Sequence, residues 1–315
     1  MKVVKSNYFE EKLISHDGAP LTLHHWPVKN PKFLIQLIHG MSEHGFRYNE
    51  FSKWLNSKNV YAYSLDLRGH GKTAENIESI GFFSETNGWE KVVMDIKLIA
   101  EIISSLNPKT PTIIMGHSMG SFLARTLAIK FPNIGDHYIY SSTSCHPGLK
   151  GHIGGLIAKL NCFIFGKDTK SRFLHFLVMG EFNKKIKKPR TKKDWLSRDE
   201  KVVDEYIKDP FCMQIFKNKF FVDLAYGVMW INDIKKMKKT DENKAVLILS
   251  GDMDPVGNYG KGVEKVFKHH KKAGIKDINL KLFKGGRHEM LNEINKKEVY
   301  NYIYNWINQR LPNDK

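Results

Sequence analysis

Short apolar, β-branched segments alternate with longer stretches of helical periodicity along most of the 315 residues. This alternation constrains the fold more than any other feature, because it marks strands joined by crossover helices. Strands are expected at 21–26, 33–38, 60–65, 112–116, 137–140, 246–250 and 279–283. Helices are expected at 48–57, 89–104, 119–130, 260–273 and 296–309. Several of the strands are near-continuous apolar runs, as in a sheet with both faces covered. The pattern reads as a mostly parallel, doubly wound α/β sheet.

The alternation breaks after residue 140. Residues 146–229 are irregular and helical, rich in aromatics such as Phe163, Phe173, Phe176, Trp195, Phe216 and Phe220, and strand-like signal resumes at Ala245. The expected organisation is a core of residues 1–145 and 230–315, with 146–229 inserted as a helical cap or lid. The aromatic content of the insertion suits the wall of an apolar pocket.

Composition narrows the function classes. The net charge is +17, from 50 basic and 33 acidic residues, with lysine runs at 184–193, 235–239 and 268–272. Those runs lack the interleaved aromatics of nucleic-acid-binding modules. No specific nucleic-acid partner is expected, and the charge reads as a solvated surface suited to an anionic membrane. The three cysteines, Cys145, Cys162 and Cys212, form no close pair, so they support no disulfide framework or metal knuckle. A reducing, cytoplasmic compartment fits. Residues 1–20 lack a signal-like apolar block, and no stretch of about 18 apolar residues occurs.

The chemistry-bearing segments sit at predicted strand ends. Gly116-His117-Ser118-Met119-Gly120 matches G-x-S-x-G between an apolar strand and a helix, the context of a nucleophile elbow. A serine hydroxyl needs a base, and the base an orienting acid, in the order Ser, Asp, His for such a sheet. Asp252 and Asp254 follow the strand after the insertion, and His288 lies in a glycine-rich loop after the next strand. Both aspartates are open as the acid. Asp254 leads because Pro255 fixes the backbone beside it, while Asp252 is placed to bond its own turn. The His39-Gly40 turn closes an earlier strand and can aim the Met41 amide at an oxyanion, with the Met119 amide as partner. His39 takes a supporting role. No H-E-x-x-H, Walker A or G-x-G-x-x-G pattern suggests a metal or cofactor, and none is expected.

Together these segments resemble the α/β-hydrolase family, in its monoacylglycerol lipase and lysophospholipase-like branch of serine aminopeptidase S33-like hydrolases. The resemblance rests on His39-Gly40-x-x-Glu43-His44-x-x-Arg47-Tyr48, Asp66-Leu67-Arg68-Gly69-His70-Gly71, the serine motif, and Gly251-x-x-Asp254-x-x-Gly257 with Gly286-Arg287-His288-Glu289. Trp195 to Glu200 and Asp209-Pro210-Phe211 also match, so the likeness spans residues 15–311. One departure is Lys72-Thr73, where the family has a small residue and then serine.

The resemblance implies Ser118 as nucleophile, Asp254 as acid, His288 as base and Met41 with Met119 as the oxyanion hole. It makes the first two segments structural. The expected enzyme is a serine hydrolase cleaving esters of monoacyl lipids, monoacylglycerols or lysophospholipids. Alternatives are a short-chain carboxylesterase, a peptidase using Glu181, Asp199 or Glu200 to hold a substrate amine, and a hydrolase-fold binding protein without catalysis.

Overall fold

The computed structural model describes residues 7–145 and 148–311. In chain order these form β1 (Phe9–Ile14), β2 (Pro20–Trp26), β3 (Leu34–Ile38), α1 (Asn49–Asn56), β4 (Tyr61–Asp66), α2 (Gly88–Leu106), β5 (Thr112–His117), α3 (Met119–Lys130) and β6 (His137–Ser141). Five helices follow: α4 (Leu149–Phe165), α5 (Arg172–Met179), α6 (Glu200–Lys208), α7 (Asn218–Trp230) and α8 (Ile234–Met237). The chain then returns to β7 (Ala245–Gly251), α9 (Lys261–Ala273), β8 (Ile278–Phe283) and α10 (Lys296–Asn308).

The eight strands make one sheet in the order β1-β2-β4-β3-β5-β6-β7-β8. β2 pairs antiparallel with both β1 and β4, and every other neighbour is parallel. The expected α/β-hydrolase fold, a mostly parallel sheet wound with helices on both faces, is what the chain adopts.

Burial explains why the sheet was readable. Along β7, Val246 and Ile248 enter the core on the α2 and α3 side, while Ala245, Leu247 and Leu249 enter the core on the α10 side. Alternate side chains therefore meet helices on opposite faces, and selection for apolar residues acts on every position. β1 escaped prediction for the converse reason. Its sequence FEEKLI is largely exposed at the sheet edge, and charge there discourages further strand pairing.

Parallel crossovers place every β-to-α turn at one end of the sheet, where α/β proteins carry their ligands. Ser118, Asp254 and His288 all follow carboxyl ends of strands, β5, β7 and β8 respectively. The expected start of the insertion, His146, lies outside the described residues. Helices α4 to α7 follow the carboxyl end of β6, and after α8 the chain re-enters the sheet at the amino end of β7, which runs parallel to β6. No helix among the described residues is long and apolar enough to cross a membrane.

Candidate active site

Ser118 occupies the turn between β5 and α3 with φ 52° and ψ −120°, a region that non-glycine residues rarely enter. Two glycines make the turn sterically feasible. A methyl on Gly116 would come within 2.2 Å of the Gly120 carbonyl oxygen, and one on Gly120 within 2.1 Å of that of Ile38. The conformation is held by the Ser118 amide donating to Ser141 O at 2.9 Å and by the Ser121 amide donating to Ser118 O at 2.9 Å. Strain of this kind costs on the order of 1–3 kcal/mol and persists only where neighbours over-determine it. It leaves the Ser118 side chain on the wall of a cleft together with Met41, Met119 and His288.

His288 and Asp254 are both buried, and His288 Nδ1 lies 2.9 Å from Asp254 Oδ1. The carboxylate is itself fixed, accepting from Val256 N–H and Ser250 Oγ, each at 2.9 Å. Asp252 does not reach the histidine; its Oδ1 accepts the Gly285 amide at 2.7 Å and ties the two strand-end loops together. Burial pushes the His288 pKa down, but the Asp254 charge and hydrogen bond, helped by Glu289 and Glu43, hold it above its ordinary value. Its occupied Nδ1 leaves Nε2 as the nitrogen available to the cleft. Among the described residues no hydrogen bond joins Ser118 Oγ to His288, a contact that commonly tightens only with substrate bound.

The turn after β3 lies against the serine. A methyl on Gly40 would sit 3.1 Å from Ser118 Cβ. Met119 opens α3, so its amide has no intrahelical acceptor, and among the described residues the Met41 amide donates no hydrogen bond either. His39 is a satisfied core residue: Nδ1 lies 2.8 Å from Gly40 O, and Nε2 accepts the Leu67 amide at 2.9 Å. Burial lowers its pKa to about 4, which keeps it neutral. His117 is likewise lowered to about 4 by burial and by its neighbour His288, whose ring centroid is 4.7 Å away.

A buried ionic network behind this turn was not foreseen as a unit. Glu43 Oε1 accepts the Gly40 amide at 2.6 Å, and its Oε2 accepts Arg47 Nη1 at 3.0 Å. Arg47 also forks onto Glu289, 2.6 and 2.8 Å away, and lies under the Tyr206 ring at 4.9 Å. Burial pushes the Glu289 pKa up, but Arg47 more than offsets this and brings it to about 2. The network thus joins the turn after β3, the residue after His288 and α6. Its signal in the sequence was the Glu43, Arg47 and Glu289 motif positions, which carried no visible pairing across 242 residues.

Seven insertion residues, including Val178, Phe182, Trp195 and Tyr206, complete the cleft opposite Phe122 and Val256 of the core. The enclosed volume is about 90 Å³. A much larger groove, about 940 Å³, lies at the amino ends of β5 and β6, around Thr112 and His137, away from Ser118. One group among the described residues brings three metal-type donors within 4.8 Å: His44, Asp209 and Cys212. His44 Nε2 is already 2.8 Å from Asp209 Oδ2. Burial raises the Cys212 thiol far above its ordinary value. The cluster is a tie between the β3 turn and the insertion.

Comparison with known proteins agrees with this architecture. The model of the serine aminopeptidase S33 family matches residues 29–295. Monoacylglycerol lipase of Mycolicibacterium smegmatis is 24% identical over 312 residues, covering 97% of this chain and 99% of that protein. Human monoglyceride lipase is 24% identical over 315 residues, covering 95% and 90%. Among solved structures, a thermostable carboxyl esterase from Bacillus coagulans superposes with TM-score 0.90 at 24% identity, covering 97% of this chain and 99% of that one. A Saccharomyces cerevisiae monoglyceride lipase variant gives 0.78 at 22%, covering 99% and 97%. The chain belongs to the serine aminopeptidase S33 family and is an ester hydrolase with the α/β-hydrolase fold.

Proposed function

We propose that this chain hydrolyses carboxylic esters of monoacyl lipids through a Ser118-His288-Asp254 triad and an acyl-enzyme. The observation that carries the reading is the buried 2.9 Å contact of His288 with Asp254 in the cleft that also exposes the strained Ser118. His288 Nε2 takes the Ser118 proton as Oγ attacks the ester carbonyl. The tetrahedral oxyanion rests on the Met41 and Met119 amides, each donor worth about 3 kcal/mol in comparable sites. Collapse expels the alkoxide, which leaves with the proton from His288. Water then repeats the sequence on the acyl-enzyme, releasing the acid and restoring Ser118.

In this reading residues 146–229 are a cap over a core of 1–145 and 230–315. The relatives named for monoacylglycerol hydrolysis support the lipid substrate, as does the cleft's apolar wall. α4 and α5 expose Leu160, Phe163, Phe173 and Phe176, with Phe163 88% accessible and Lys159 and Lys167 nearby. An apolar face with basic neighbours suits peripheral contact with an anionic bilayer.

A short-chain esterase is favoured by one specific observation. The cleft's 90 Å³ is far below the roughly 300 Å³ at the small end of ordinary ligand pockets. A long acyl chain needs the α5 wall at Val178 and Met179 to move outward. The peptidase reading gains nothing here, because Glu181, Asp199 and Glu200 do not line the cleft, and Asp199 caps α6.

The test is acid release by wild type and Ser118→Ala from monoacylglycerols, lysophospholipids, short esters and aminoacyl amides. Preference for long monoacyl substrates, absent in the variant, is expected. Cleavage confined to short esters or amides would overturn the lipid substrate, and silence throughout would overturn catalysis.

A further inference from the structure

A second cavity, of about 210 Å³, backs onto the cleft and is lined by four basic side chains, Lys185, Lys187, Arg198 and Arg287. They converge from three separate segments of the chain: the turn after α5, the segment before α6 and the loop bearing His288. No carboxylate lines it among the described residues.

Each cation's partners are limited. Lys185 Nζ lies 3.5 Å from the centroid of the Tyr259 ring, and among the described residues neither Lys185 nor Lys187 makes an ion pair. Arg287 Nη1 donates to the carbonyls of Asp194 and Ser197, at 2.6 and 2.9 Å, and meets no carboxylate. Among the described residues Arg198 alone of the four is ion-paired, through Nε to Glu293 at 2.9 Å, with Nη2 donating to Asn295 Oδ1 at 3.0 Å. Two acids on the flanking turns are engaged: Asp252 holds the Gly285 amide, and Glu181 pairs with Lys184. Among the described residues four cations thus share one ion-paired carboxylate, an excess of positive charge that favours an entering oxyanion.

The position of this cavity relates it to the reaction. Phe182 lines both cavities and stacks edge-on against Trp195, whose ring is 5.0 Å from that of His288. Arg287 faces the basic cavity while its neighbour His288, with a Cα about 3.8 Å away, faces the cleft. In the mechanism proposed above, His288 is the group that protonates the departing alcohol, so the adjoining space lies on the alcohol side.

We infer that this basic cavity binds a phosphate-class anion, carried as the head group of a phosphate-bearing monoacyl ester. The inference rests on the proposed ester hydrolysis at Ser118 and assigns part of the lysine run at 184–193 a role beyond a solvated surface.

The experiment compares wild type with a Lys185→Gln/Lys187→Gln double variant, both positions being exposed and outside the catalytic machinery. Substrates are 1-lauroylglycerol, 1-lauroylglycerol 3-phosphate and p-nitrophenyl butyrate, with inorganic phosphate as a thermal-shift probe. Wild type is expected to favour the phosphate ester over the neutral one by roughly tenfold in kcat/KM, mainly through KM, the size of a charge-assisted contact. The double variant is expected to lose that preference and keep its activity on the other two esters. If inorganic phosphate stabilises wild type but not the variant while both lauroyl esters turn over alike, the site exists and serves free phosphate. Equal behaviour of both proteins with all substrates and with phosphate would overturn the inference. A wild type that binds phosphate through these lysines yet hydrolyses no ester would instead overturn the reading of Ser118.

Discussion

The strand-end loops and the helical insertion treat apolar and charged groups in opposite ways. Around Ser118 the supporting carboxylates are tied down. Asp254 accepts from two donors besides meeting His288, and Glu43 and Glu289 share Arg47 in a buried network. In the insertion, α4 and α5 leave Leu156, Phe163, Phe173 and Phe176 exposed, and the cavity behind the turn after α5 gathers four cations with no carboxylate in its lining among the described residues. One region spends its contacts on fixing geometry. The other keeps surface free for something outside the chain, in keeping with the proposed cap role.

The sharpest way to break the comparison is Ser118→Ala. If the loops are rigid catalytic machinery, turnover is expected to fall by about 10⁵- to 10⁶-fold, with the unfolding midpoint essentially unchanged. Asp254→Asn is expected to cost about 10⁴-fold in kcat by removing the group that orients and charges His288, again without loss of fold.

Arg47→Met probes the network directly. Leaving Glu289 and Glu43 buried without their cation is expected to cost about 3–5 kcal/mol in denaturant unfolding. The pH dependence has a definite sign. The folded-state pKa of Glu289 is depressed to about 2, so its stabilisation is present above its ordinary value of 4.5 and is lost as pH falls towards 2. The gap between wild type and Arg47→Met is therefore expected to narrow in acid.

The insertion is expected to respond differently. Phe163→Asp with Phe176→Asp, at side chains exposed on α4 and α5, is expected to change stability by no more than about 0.5 kcal/mol. It is expected to weaken binding to anionic vesicles and slow long-acyl hydrolysis, leaving p-nitrophenyl butyrate untouched. Unfolding of this double variant would show that the apolar face belongs to the core. The smallest effect concerns pH. In the proposed mechanism neutral His288 is the base, and its pKa is raised, so the acid limb of kcat/KM is expected at a pH above its ordinary 6.5 and is expected to move down in Asp254→Asn.

The same contrast governs what could be read from the chain. Central strands were legible because both of their faces are buried, which turns β7 into the unbroken run AVLILSG. Loop chemistry was legible where a turn demands particular residues, as Gly116 and Gly120 do around Ser118. β1 was not, since an exposed edge strand imposes no hydrophobic pattern. Choosing between Asp252 and Asp254 needed the fold, because both sit in one turn and differ only in whether His288 or Gly285 is in reach. Partners far apart in the chain, Arg47 with Glu289 or Lys185 with Arg287, become visible only once the sheet brings their loops together.

The most direct test of the central claim is peptide-mapping mass spectrometry after rapid quenching of wild type with p-nitrophenyl butyrate. The expected result is a butyryl adduct on the peptide containing Ser118, formed during a burst of nitrophenol release and absent from Ser118→Ala. Turnover with the adduct on another residue, or an adduct that persists in Ser118→Ala, would contradict it.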